Sequence, residues 1–144
     1  MIEKDTVRLL RECNAGIEMG ISSIADVLGA VKSEKLRALL TDSRKEHEEL
    51  RNEVASALDR FHDSGKEPNP VAKGMSTMKT GMRLAMNESD SAIADLMTDG
   101  CNMGVKSLHR YLNQYKAADS DSKRIAKRLV NIEERLAVDL RTFL

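Results

Sequence analysis

Four long stretches of this chain place an apolar residue every three or four positions, and none alternates apolar with polar at a period of two. Three-and-four spacing gathers those side chains on one face of an α-helix. The first stretch, about 6–31, carries Leu10, Cys13, Ile17, Ile21, Ile24, Leu28 and Val31. The second, about 34–62, carries Leu36, Leu40, Ser43, His47, Leu50, Val54, Ala57 and Phe61. This is close to a strict heptad, the pattern of antiparallel bundle helices, with Ser43 and His47 as its polar members. The third, about 91–116, carries Ile93, Met97, Gly100 or Cys101, Gly104, Leu108, Tyr111 and Tyr115, and the fourth, about 121–143, Ile125, Leu129, Ile132, Leu136, Leu140 and Phe143.

Local signals fix the boundaries. Gly29 and Gly65 stand where helices one and two stop, and Ser33 offers an N-cap to helix two. The run Asn87-Glu88-Ser89-Asp90-Ser91 caps the third helix, and 117–122 reads as a turn plus a cap. Both prolines fall in 63–70, the one firm break. After it a shorter segment, about 71–86, sets Met75, Met78, Met82 and Met86 at helical spacing. Links one-to-two and three-to-four are short, whereas the link from two to three runs about 28 residues and contains this short helix. One long crossover in a four-helix bundle is the ferritin-like arrangement. The expected fold is therefore all-α: a single ferritin-like four-helix-bundle domain over 1–144, with helices two and three parallel.

Composition removes other classes. Two Pro and eight Gly are too few for a turn-rich β fold. Lys plus Arg and Asp plus Glu are both 23, so no net field attracts nucleic acid or an anionic surface. Lys123, Arg124, Lys127 and Arg128 make a basic start to helix four, without aromatic interleaving, so they read as a solvated face. No apolar run is long enough to span a bilayer, and the N-terminus lacks the apolar stretch of a secretion signal. The expectation is a cytoplasmic protein. Cys13 and Cys101 sit about 10 Å apart along antiparallel helices at 1.5 Å per residue, beyond disulfide reach, so two buried free thiols are expected.

The segments 31–40 (Val-Lys-Ser-Glu-Lys-Leu-Arg-Ala-Leu-Leu), 74–86 and 90–115 resemble a ferritin-like bacterial family of unknown function. The resemblance covers most of the chain and rests on the order and length of elements. It implies a ferritin-like bundle and brings no established activity.

Ferritin-like di-iron sites need a Glu from two helices and Glu-x-x-His from the other two. Residues three apart share a helix face, and carboxylates with imidazoles suit iron. Arg44, Asp59 and Lys106 stand three before His47, His62 and His109, so the motif does not occur. Near mid-helix the chain offers Glu18, then Glu46, His47 and Glu49, and finally Glu133, with Gly104 where helix three would need an acid. These five are the ligand candidates under a degenerate iron or manganese oxidoreductase or metal-handling reading. The favoured expectation is no metal, no cofactor and no catalysis.

His47 has two readings: a remnant ligand or proton carrier paired with Glu18 or Glu46, or a core histidine hydrogen-bonded to a neighbouring helix. The run from His47 to Asn52 partly matches the phospho-accepting box of sensor kinases, but a buried imidazole opposes that role. Gly100-x-x-x-Gly104 either lets helix three pack tightly or, with Cys101, lines a small ligand cavity. The Met75, Met78, Met82 and Met86 stripe is either core packing or an adaptable interaction face. The leading functional expectation is a structural or interaction module that self-associates as a homodimer or larger, or binds another protein. A small-ligand carrier is a further alternative.

Overall fold

Backbone N–H groups at a helix start have no partner within the helix, and this chain supplies side-chain acceptors where they are needed. Ser33 accepts from Leu36 N, Ser89 from Ala92 N and Asp119 from Ser122 N. The structure, a computed structural model, describes residues 2–62 and 89–144. These form α1 (Ile2–Leu28), α2 (Glu34–Arg60), α3 (Asp90–Gln114) and α4 (Ser120–Leu140), followed by a 3-10 turn at Arg141–Phe143. Among the described residues there is no strand, and no helix is long and apolar enough to cross a membrane.

The boundaries differ slightly from those expected. α1 starts at Ile2 rather than near residue 6 because Glu3 and Asp5 suit the positive end of a helix dipole. It stops at Leu28, three residues short of Val31, yet Val31 is still buried. α1 has no basic residue in its last turn; instead Arg37 of α2 reaches back to the Leu28 and Val31 carbonyls at 3.1 and 2.6 Å. α2 ends with His62 in a left-handed conformation, φ 57°, the position that glycine more often takes. The expected short helix at 71–86, its Met75, Met78, Met82 and Met86, and Gly65 lie outside the described residues.

Helix directions follow from contacts at the two ends. Asp90 at the start of α3 accepts from Lys32 N and Ser33 N, both at 2.8 Å. α2 and α3 therefore begin at the same end. At the other end Ala117 N donates to Asp5 and Asp119 N to Thr6 Oγ1, so α4 begins beside the start of α1. Arg128 pairs with Glu53 and Arg135 with Glu46, the antiparallel register of α2 against α4. The order is up, down, down, up. α1 packs on α2 and α3, and α4 on the same two, all antiparallel pairs, and the parallel α1 and α4 also meet across the middle of the bundle.

The apolar stripes meet in two clusters. One joins Leu10, Ile17, Leu50, Val54, Leu108 and Leu129. The other joins Ile24, Leu36, Leu40, Ile93, Leu136 and Leu140. Between them lies a layer holding buried Ser43, His47 and Glu133.

Asp90 satisfies two amides at once, one of them part-buried. Asp90→Ala is expected to lower unfolding free energy in urea by about 1–3 kcal/mol, with faster hydrogen exchange at Lys32 and Ser33. Unchanged stability and exchange would show that this tie does not hold α3 to the α1–α2 turn.

Candidate functional site

The polar layer is built from the two central heptad interruptions. His47 follows Ser43 by four residues, so its ring Nδ1 lies 2.7 Å from the Ser43 carbonyl one turn back. Its Nε2 lies 3.0 Å from Glu133 Oε1 on α4. A carbonyl and a carboxylate can only accept, so the ring that satisfies both carries two N–H groups and is an imidazolium. Burial by itself pulls the imidazole pKa down. The hydrogen bond and charge of Glu133, the Ser43 carbonyl and the charge of Glu46 outweigh it and raise the pKa above its usual 6.5. The Cys101 thiol is buried beside Glu133. A buried charge pair with its lone pairs and protons filled is the form in which such a pair can be tolerated.

The ring needs space on α1. A Cβ on Gly20 would stand 2.7 Å from His47 Nε2 and 2.8 Å from its Cδ2, nearer than atoms can approach. The ring is held by two hydrogen bonds and cannot swing aside, so Gly20 is dictated by His47.

Beyond this contact α1 and α3 part, leaving a cavity of about 180 Å³. Gly16 and Gly20 of α1 line it on one side, Gly100 and Gly104 of α3 on the other. His47, Cys101 and Glu133 close its inner end, and Met103, an exposed side chain, is at its outer margin. The interior is chiefly apolar, with Ile24, Met97, Leu108 and Leu136 among its walls. Toward the α1 N-terminus Glu12 and Tyr111 close it. Burial, then the charge of Glu12, pushes the Tyr111 phenol pKa up from its usual 10. Glu12 Oε2 is shut off from solvent and has no hydrogen-bond partner.

The candidate residues are distributed unevenly. Gly100, Cys101 and Gly104 all line the cavity. Of the metal-ligand candidates, His47 and Glu133 meet, but the others point elsewhere. Glu18 pairs with Arg51, Glu46 with Arg135, and Glu49 is exposed. Among the described residues no three His, Cys, Asp or Glu side chains converge to hold a metal ion. His47 takes the second of its two readings, a core histidine hydrogen-bonded to a neighbouring helix, with Glu133 of α4 as its partner; the pairing with Glu18 or Glu46 named in the first reading is not formed. His47 is buried, out of reach of a phosphorylating partner, and His62 and His109 are exposed. Both thiols are free and buried, as expected. Burial, then the nearby Glu12, pushes the Cys13 pKa up to about 12, and burial, then Glu133, raises that of Cys101, so both are weak nucleophiles.

Sequence reasoning missed Gly16, Gly20, Glu12 and Tyr111 as cavity residues. The signal was present: Gly16-x-x-x-Gly20 repeats on α1 the spacing of Gly100-x-x-x-Gly104. Comparison with protein-family models, curated proteins and solved structures finds no match to this chain.

Two experiments test the layer. The folded His47 pKa exceeds its unfolded value, so its contribution to stability is complete below about pH 6.5 and is lost as pH rises through the folded value. Glu133→Gln is expected to flatten that pH dependence in denaturation curves and lower the imidazole pKa seen by NMR; an unaltered titration would remove the pair from this role. Gly20→Ala and Gly104→Ala should differ in sign. Helix propensity favours alanine by about 1 kcal/mol. At Gly104 the new Cβ meets Glu133 at an ordinary 3.7 Å, so that gain is retained. At Gly20 overpacking costs about 1–3 kcal/mol, and net destabilisation is expected in the same urea assay.

Proposed function

We propose that this chain is a ferritin-like four-helix bundle that binds a small, largely apolar molecule between α1 and α3, without catalysing a reaction on it. The up-down-down-up order of helices supports the ferritin-like reading. The observation that carries the binding reading is the nature of the glycines. A Cβ at Gly16 would meet Leu129 at 3.7 Å and one at Gly104 would meet Glu133 at 3.7 Å, both ordinary contacts. Packing therefore does not demand glycine at these two positions, although glycine costs helix stability. What glycine keeps there is open space.

The size of that space suits a single ring or a short branched chain. An apolar protein cavity of about 150 Å³ accepts benzene, so about 180 Å³ accommodates a molecule slightly larger. The inner end is neutral as a pair, with His47 and Glu133 already satisfying one another, so it adds shape and polarity without an open ligand position.

The interaction-module reading rests on Met75, Met78, Met82 and Met86, outside the described residues. The di-metal alternative has His47 and Glu133 as its joint members, with Glu18 and Glu46 engaged by arginines.

Toluene is the probe of choice. Its addition is expected to shift the methyl NMR signals of Met97, Met103 and Leu108 and to raise Tm. The double variant Gly16→Ala/Gly104→Ala should fold and bind it several-fold more weakly. Absence of any shift at toluene saturation would overturn the binding reading.

A further inference from the structure

Resting on the ligand-binding reading, we infer that the molecule taken up between α1 and α3 carries an amine, held as a cation by Glu12. Among the described residues the ionisable side chains around the cavity are Glu12, His47, Cys101, Tyr111 and Glu133, and no described Lys or Arg lines it. His47 and Glu133 neutralise each other. Both Cys101 and Tyr111 are kept neutral by burial and a neighbouring carboxylate. The charge left without a counterpart inside the cavity is Glu12.

Hydrogen bonding points to the same residue. Three buried side-chain atoms among the described residues have no hydrogen-bond partner: Glu12 Oε2, Ser43 Oγ and Arg44 Nε, the last lying 3.5 Å from Glu48 as an ion pair. Of these residues only Glu12 lines the cavity. Among the described residues no donor reaches Oε2, which leaves it to a donor from elsewhere. A carboxylate oxygen shut off from water, as Oε2 is, is best matched by a charged N–H donor, which supplies both a hydrogen bond and a positive charge.

Distance fits as well. Glu12 and Gly16 are one helical turn apart, about 6 Å at 1.5 Å per residue. An ammonium at Glu12 joined through one carbon to a phenyl-sized body puts that body beside Gly16, in the part of the cavity that Gly16 and Gly104 line. The ligand class is thus a small arylalkyl- or alkylamine. A carboxylate of the same shape would be repelled by Glu12.

Benzylamine, toluene and phenylacetate separate the outcomes, titrated against the full chain by NMR and calorimetry at neutral pH. Benzylamine is expected to bind about tenfold or more tightly than toluene, the difference a charge-assisted hydrogen bond supplies. Phenylacetate should bind most weakly. Glu12→Gln should abolish the preference for benzylamine and leave toluene binding unchanged. Toluene binding with no preference for the amine, or a preference that survives Glu12→Gln, overturns the amine inference and leaves the cavity reading standing. Failure of all three probes overturns both. Should Glu12→Gln not fold, the ranking of the three probes on the unaltered chain decides, and tightest binding by phenylacetate rejects the inference outright.

Discussion

A protonated imidazole buried between a carbonyl and a carboxylate constrains everything near it. His47 cannot leave its acceptors without stranding a charge in the core, and removing one partner of such a pair typically costs about 3–5 kcal/mol. Its link to Glu133 sets α2 against α4 in one register, the same register that brings Arg128 to Glu53 and Arg135 to Glu46 on the surface. A slide of either helix by one turn would preserve most apolar contacts and break the buried pair. The pair also divides the core, with one apolar cluster toward the α1 N-terminus and the other toward the α1–α2 turn. It reaches across to α1 as well, where only a residue without Cβ can face the ring.

The cavity is a consequence of that layer. Once Gly20 is required by the ring, α1 presents a flat patch to α3, and Gly16 extends it by one turn. Gly100 and Gly104 give α3 a matching patch. Each glycine costs roughly 1 kcal/mol of helix stability against alanine. The apolar clusters on either side, with their many fully buried leucines and isoleucines, offset this loss. The bundle therefore has a well-packed seam between α2 and α4 and an open one between α1 and α3.

Much of this architecture could be read from the chain before any coordinates. The stripes on α2 and α4 fall on buried positions from Leu36 to Ala57 and from Ile125 to Leu140, because three-and-four spacing has one geometric meaning. Ser33 and Ser89 were legible as caps because capping depends on residues within one turn. The partner of His47 was not legible. Glu133 lies four after Leu129 and three before Leu136, on the buried stripe, but a charged residue there breaks an apolar pattern and reads as its edge. Which acid meets the ring depends on the register of α2 against α4, a tertiary property. Likewise Gly100 and Gly104 stood out, but their effect depends on Gly16 and Gly20, whose alignment with them is set by contacts at both helix ends.

Asp90 has a kinetic meaning as well as a structural one. α1 with α2, and α3 with α4, are hairpins whose contacts are local in sequence, and such contacts form before distant ones. Joining the hairpins requires partners 57 to 113 residues apart: Asp90 with Ser33 at one end and Thr6 with Asp119 at the other. These ties act as latches on a docking step. The cavity lies on the seam between the hairpins, with α1 from the first and α3 from the second. Neither hairpin contains it alone. A molecule seated there binds only the docked form, and so slows separation of the two halves while leaving each hairpin's own stability untouched.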